Sequence, residues 1–387
     1  DSITSKKSLK KLNLEVNSTD LGFFKYLDNY RNEHMHQVKA NNKLYVSGTE
    51  YTNLCMAGYI CGFCFKCFLD EFQYSYHTQF QSCCDSRLTS PDDVIYDDKQ
   101  GMVVKQLDGL TNSHTLQRLS TLSKLFISHK LNNASDIIKF DFYLLYVNNE
   151  FVGYFSKEKN TNLWNLSCIL TVKKSGLSFR GIKNFKMGQF LIHFSYQLSI
   201  LDESFLGSPE KPFSDFGLLA YRKYYRFRLV KCLLEELKYK EEDFEAVEVS
   251  MEDISSKTGM VKNDIVFGME SLGIFQYNKD LKKIKMDYSL LLYVQRSKEY
   301  ADWLDSINQF DKKWFKDFFR NRLKKVDDHF QDRTPSVETI NCINNKSSSK
   351  WIDVNNLTKI TLYKTLSDKD HETFINSFNL KNGDEKL

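Results

Sequence analysis

The chain contains only four prolines, and two of them, Pro209 and Pro212, bracket one glutamate in Gly207-Ser-Pro-Glu210-Lys-Pro-Phe-Ser-Asp-Phe-Gly217. Proline fixes φ and removes a backbone donor, so Glu210 is expected on a stiff loop. A rigid loop presenting one carboxylate is a good mount for a general base. A solvated glutamate on a surface turn accounts for the loop chemistry too, so the neighbouring segments have to decide. Before the loop come an apolar strand, Asn165-Leu-Ser-Cys168-Ile-Leu-Thr171, and an apolar helix, Met187 to Leu198. The stretch from Asn165 to Tyr225 is therefore the expected centre of the fold.

At 387 residues the chain has room for one large domain with appendages or for two or three small ones. Phe (30) and Tyr (21) are abundant enough to build a large core. A formal charge of +4 suits docking near nucleic acid or on a surface of mixed charge without demanding it. No run of apolar residues is long enough to cross a membrane, and no membrane partner is expected. Of the nine cysteines, six crowd between positions 55 and 84. That distribution argues for a reducing compartment and a local metal site over a secreted disulfide framework. Cys61-Gly-Phe-Cys64, then His77, then Cys83 or Cys84 can close a tetrahedral structural zinc site. Buried small hydrophobic thiols are the plainer alternative.

Local patterns give the rest of the organisation. Residues 1–20 are polar and lysine-rich and are expected to be disordered. Gly101 to Gly109 reads as a strand running into an Asp-Gly turn. Leucines at 116, 119, 122 and 125 mark a helix leading to Lys130. Ile137 to Asn148 and Glu150 to Phe155 form a hairpin about Asn148-Asn149. Ser250 to Gly259 is a short capped helix with a glycine stop, Lys262 to Leu272 a second helix, and Phe275 to Met286 a β-wing. This helix-turn-helix offers little arginine to base edges, which favours packing and docking over sequence-specific reading of DNA. Asp302 to Val326 carries aromatics at helical spacing with lysines and arginines in its second half, a basic amphipathic helix suited to a partner or to the core itself. Residues 331–387 are polar and carry no assignment.

Val152-Gly-Tyr-Phe-Ser-Lys-Glu-Lys159, Cys168-Ile-Leu-Thr, Gly207-Ser-Pro-Glu-Lys-Pro and Ser214-Asp-Phe-Gly-Leu-Leu-Ala-Tyr-Arg222 resemble, in order, the catalytic core of the MYST family of histone acetyltransferases. The resemblance implies an α+β chain: a GNAT-like acetyltransferase mixed sheet, an N-terminal zinc finger and a C-terminal winged helix-turn-helix. It implies a zinc-bearing region over 21–100, an acetyl-CoA-binding core over 101–240 and the helix-turn-helix over 241–295; the basic amphipathic helices over 296–330 depart from the family and are read from the residues alone. Glu210 would be the general base, its pKa raised by partial burial. Cys168 would be the active-site cysteine, for which direct amine attack ranks above a covalent route, because no histidine partner is evident. The backbone of Ile169, Leu170 and Thr171 and the side chain of Ser214 would contact acetyl-CoA. Lys130 would be the autoacetylated lysine, and Cys61, Cys64, His77 and Cys83 the zinc ligands. The family's short phosphate loop is rewritten here as Lys173 to Gly188: either Gly188 or Arg180-Gly181 is its remnant. The resemblance further implies a nuclear protein acting on histone tails and nucleosomes within a multisubunit complex. Its compact, divergent sequence is most similar to the fungal something-about-silencing branch, whose target is the tail of histone four. A chromatin scaffold with weakened catalysis is the alternative.

Overall fold

The computed structural model describes residues 35–40, 43–48, 59–68, 71–80, 93–123, 134–159, 164–172, 179–182, 185–201, 206–239, 246–272, 276–278, 283–317, 319 and 357–363. Two compact units are present, one of residues 1–93, 108–139 and 368–387, the other of residues 94–107 and 140–367.

In the first unit, β1 (Met35–Ala40), β2 (Lys43–Gly48), β3 (Tyr59–Ile60) and β4 (Cys67–Phe68) form a sheet of order β2-β1-β3-β4. Helix α1 (Glu71–Phe80) follows β4. Helices α2 (Ser113–Ser123) and α3 (Ala134–Ile137) complete the described part. The leucine spacing is realised in α2, where Leu116, Leu119 and Leu122 are buried.

The second unit is built on β5 (Val94–Asp97), β6 (Met102–Asp108), β7 (Phe140–Val147), β8 (Glu150–Glu158) and β9 (Cys168–Thr171), side by side in that order. Asn148 and Asn149 join β7 to β8 with φ of 51° and 63°. Two left-handed residues in succession are what a two-residue hairpin needs to match strand twist, and asparagine tolerates them. A mixed sheet was expected. The pairs β5–β6, β7–β8 and β8–β9 are antiparallel, and isolated parallel bridges join Leu166 to Pro209 and Gly207 to Met260.

Helix α4 (Met187–Leu201) has its residues from Gln189 to Ser199 buried all round, as expected of a helix enclosed by its own protein. Phe190, Leu191, Phe194 and Leu198 join Tyr143, Leu145, Val152 and Phe155 of the sheet in one apolar core. The polar residues of α4 are paired: His193 Nδ1 lies 3.1 Å from the Tyr224 hydroxyl, and Gln189 Nε2 donates to the Ala220 carbonyl at 3.0 Å. Burial, with Arg228 and Lys231 adding to it, pushes His193 well below the usual imidazole range and keeps it neutral.

Ser214 caps α5 (Asp215–Lys231), which runs into a π-helical turn at Cys232–Glu236. That turn brings Glu236 to the buried Arg228 in a two-pronged ion pair, with bonds of 2.8 and 3.0 Å. After β10 (Ala246–Ser250) come α6 (Met251–Thr258) and α7 (Lys262–Leu272). The Ser250 side chain caps the start of α6, and Gly259, left-handed at φ 74°, ends it. Strands β11 (Gln276–Asn278) and β12 (Lys283–Asp287) pair antiparallel. β13 (Lys359–Tyr363) lies between β10 and β12, closing a sheet of order β10-β13-β12-β11.

Helices α8 (Tyr288–Gln295) and α9 (Lys298–Ile307) follow. The helix expected over Asp302–Val326 is therefore broken: α9 ends at Asn308 and a 3-10 turn spans Lys312–Trp314. The Asp311 side chain caps that turn, a local bond that competes with helix continuation. Trp303, Ile307, Phe315 and Phe319 are buried in the second unit, so their aromatic pattern records core packing.

Candidate active site

The loop expected to carry the base is held from both sides. Its first anchor is the parallel bridge of Pro209 with Leu166: the Asn165 amide donates to the Ser208 carbonyl and the Glu210 amide to the Leu166 carbonyl, both at 2.9 Å. These bonds use the residues on either side of Pro209, so its missing amide donor costs nothing here. On the other side the Gly207 amide donates to the Gly259 carbonyl at 2.7 Å, and Gly207 bridges Met260. A Cβ on Gly207 would fall 2.6 Å from Asn165 Nδ2 and 2.8 Å from Ser199 Oγ, so only glycine fits between strand and helix. Asn165 Nδ2 in turn donates to Ser195 Oγ of α4 at 3.2 Å.

Glu210 is thus fixed by its backbone to a residue two positions before Cys168. Its side chain is exposed and makes no ion pair among the described residues; the partial burial expected of the base is not found. Cys168 is half-buried with a free thiol at the start of β9. Among the described residues no side chain bonds that thiol, and the buried imidazole of α4, His193, is paired with Tyr224.

Strand β9 ends the sheet order, so among the described residues one edge of Ile169, Leu170 and Thr171 is not paired by a neighbouring strand. Gly153 of β8 permits the tight β8–β9 approach, because a Cβ there would meet the Leu170 carbonyl oxygen at 2.6 Å. Gly188 stands in the first turn of α4 beside the Thr171 side chain, where amides lack intrahelical partners. Arg180 and Gly181 lie elsewhere. They form a tight turn closed by paired bonds between Phe179 and Ile182, with φ of 51° and 79°. The Arg180 guanidinium is committed to the buried Asp98 carboxylate and to Gln309. Ser214 Oγ accepts from the Gly217 amide at 3.1 Å as the cap of α5, which leaves its hydroxyl proton available. Lys130 lies outside the described residues.

In the first unit Cys61, Cys64 and His77 are buried, and their donor atoms lie within 4.8 Å of one another. Cys64 Sγ is 3.3 Å from His77 Nε2. Two thiols and an imidazole are the donor set of a structural zinc site. Cys83 and Cys84, the alternatives for a fourth ligand, lie outside the described residues. Cys67 stands outside this cluster, and burial pushes its thiol up to about 11 against the lowering effect of Arg118.

One cluster escaped the sequence reading. Lys211, next to Glu210, reaches Asp264 of α7 with Nζ 2.8 Å from Oδ1, the two side chains being 15% and 0% exposed. The Tyr196 hydroxyl donates to Asp264 Oδ2 at 3.3 Å and shares a 2.9 Å hydroxyl–hydroxyl bond with Tyr225. Burial, reinforced by Asp264, holds Tyr196 and Tyr225 well above the usual phenol range, so both stay protonated. An acid in the first turn of a helix ordinarily complements the helix dipole, and no local pattern marks Asp264 as buried.

The fold and site together define a class: an α+β chain in which a proline-bracketed carboxylate is docked beside a cysteine on the last strand of an antiparallel sheet. A profile of the MOZ/SAS family matches residues 89–311, and the chain belongs to that family. "Histone acetyltransferase SAS3" of Saccharomyces cerevisiae is 36% identical over 260 residues, 62% of this chain and 29% of that protein. "Histone acetyltransferase ESA1" of Eremothecium gossypii is 32% identical over 240 residues, 59% of this chain and 51% of that protein. "Histone acetyltransferase mst2" of Schizosaccharomyces pombe is 36% identical over 233 residues, 58% of this chain and 51% of that protein. This chain spans about half the length, or less, of these curated relatives. The family expected from the motifs is the family found.

Proposed function

We propose that the chain is a nuclear lysine acetyltransferase that moves the acetyl group of acetyl-CoA to a histone-tail lysine, with Glu210 as general base. The observation that carries this reading is the bond from the Glu210 amide to the Leu166 carbonyl, which fixes an unpaired carboxylate beside the strand of Cys168. A lysine ammonium has a pKa of about 10.4 and no lone pair to attack with near neutral pH. Glu210 accepts its proton, directly or through one water. Acetyl-CoA, when bound, would supply the thioester carbonyl to which the freed amine adds, the C–N bond forming as the C–S bond breaks and the second amine proton passing to the departing thiolate, which leaves as the free thiol. The open edge of β9 suits the amide-bearing arm of such a molecule as an added strand along Ile169, Leu170 and Thr171. The first turn of α4 at Gly188 suits its phosphates, and Ser214 retains a proton to donate. With Arg180 bound to Asp98 and Gln309, Gly188 is the better remnant of the phosphate loop. Cys168 has no activating base among the described residues, which favours direct attack.

The family membership, and relatives named as histone acetyltransferases, support histone tails in nucleosomes as substrate and further subunits as partners. The histone-four tail rests on resemblance to the silencing branch. The helix pair α6–α7 with strands β11 and β12 supports a winged helix-turn-helix used for packing, since Gly259 and Asp264 face the catalytic loop. No helix among the described residues is long and apolar enough to cross a membrane.

The alternative is a chromatin scaffold of weakened catalysis, favoured by the loss of Arg180 to an internal ion pair. Titration calorimetry with acetyl-CoA separates the two. The enzyme reading expects a dissociation constant of about 1–100 μM, within the usual span for enzyme substrates. Absence of heat, with no acetylation of nucleosomes, supports the scaffold.

Cys61, Cys64 and His77, with Cys83 as fourth ligand, would hold a zinc ion whose role is to fix the fold of the first unit, with no part in the chemistry. A strong chelator is expected to release about one zinc ion per chain and to lower the stability of that unit. Release of no zinc on full unfolding would leave the cysteines as packed thiols.

A further inference from the structure

Asp264 poses a physical problem that the helix it belongs to does not solve. Its carboxylate is fully buried, and a buried charge persists only where a cation and hydrogen bonds compensate its desolvation. Here the compensation comes from Lys211, 53 residues away in sequence and adjacent to the carboxylate proposed as the base. The backbone of the loop is tied by Leu166 and Gly259 on the N-terminal side of Glu210. On its C-terminal side the Lys211–Asp264 pair is the buried attachment. The Lys211 ammonium also lies over the Phe213 ring, at 6.0 Å from its centroid, and Phe213 stacks on Tyr221 and Phe267. Tyr196 of α4 also bonds the Asp264 carboxylate, and its hydroxyl is held in turn by that of Tyr225 of α5.

We infer that Asp264 and Lys211 are positioning residues for Glu210: their ion pair sets the aim of the base by pulling the loop down onto the start of α7. The inference rests on the acetyltransferase reading. It gives the α6–α7 segment a role in the chemistry of the site, with the helix that a DNA reader would present to base edges turned into the protein instead. A misplacement of a catalytic group by about 1 Å can cost about 10²-fold in rate. Without the ion pair the stretch after Glu210 keeps the Phe213 stacking but loses its buried charged anchor, and a shift of that size becomes accessible.

The test uses the full chain with Asp264→Asn, Asp264→Glu and Lys211→Met, each also made together with Glu210→Gln. Nucleosome acetylation is expected to show kcat lower by about 10²-fold for Asp264→Asn and for Lys211→Met. The KM for acetyl-CoA should stay within about twofold, and Asp264→Glu should recover part of the rate. In the Glu210→Gln background the same changes should cost almost nothing further, because residues that act through one group are not additive. A loss of equal size in that background, or a loss confined to the KM for acetyl-CoA, overturns the proposal. Backbone hydrogen exchange supplies a readout independent of turnover. Asp264→Asn should speed exchange across 206–213 while 140–158 is unchanged; unaltered exchange across the loop overturns the proposal. Inactivity of the unsubstituted chain is a different failure, since it overturns the acetyltransferase reading and the positioning role with it.

Discussion

Replacing Glu210 by glutamine is expected to lower kcat for nucleosome acetylation by about 10²–10⁴-fold, the range that a positioned general base contributes. Its stability should stay within about 0.5 kcal/mol of the parent, because the side chain is exposed and bears no ion pair among the described residues. The two measurements have to be taken together. A fall in kcat with an unchanged melting curve assigns the loss to the carboxylate, since glutamine keeps the shape and the backbone bond to Leu166. Unchanged turnover would remove Glu210 from the mechanism. The loss should be largest near neutral pH and smaller in alkaline buffer, where more of the substrate lysine is already neutral.

The second large effect is one of stability. Trp303 is fully buried, and its indole N–H donates to Gln189 Oε1 at 3.0 Å. It packs edge-on against Tyr224 and Phe227, with centroid separations of 6.1 and 5.6 Å. Trp303→Ala removes a large apolar side chain from a closed site and leaves Gln189 Oε1 without its donor. A cost of about 3–5 kcal/mol is expected. At about 2–4 °C per kcal/mol for a unit of this size, the melting temperature should fall by roughly 6–20 °C. Calorimetry checks this, and a shift under about 2 °C would mean that α9 contributes little to the core.

The residues whose conformation is decided within a few positions were legible in the sequence. Asn148-Asn149 announced its hairpin because only a few residue types accept two left-handed conformations in a row. Ser250 and Gly259 announced both ends of α6 for the same kind of reason. The Glu210 loop and the Cys168 strand were legible as motifs, and the bridge from Leu166 to Pro209 joins them. Long-range pairings were not legible. Strand β13 crosses between β10 and β12, in a region whose polar composition gave no strand signal. Nothing local distinguishes Asp264 from a solvated helix-capping acid, and only the fold shows Lys211 reaching it. The aromatics after Asp302 had the right period for one helix, and a capping bond at Asp311 divided it. The exposure of Glu210 also depends on loop placement that sequence alone does not give.

The bridge between Tyr96 and Phe315 has a consequence for how the molecule is made. Strand β5 is edged by the segment around Phe315: the Lys316 amide donates to the Ile95 carbonyl, and the Asp311 amide to the Tyr96 hydroxyl from 215 residues away in sequence. A ribosome adding about 5–20 residues per second needs some 10–40 s to produce the stretch between them. During that interval β5 and the aromatic face behind it wait for their cover, open to any chaperone or neighbouring chain that reaches them first. The candidate site, whose sheet includes β5, is consequently a late product of synthesis.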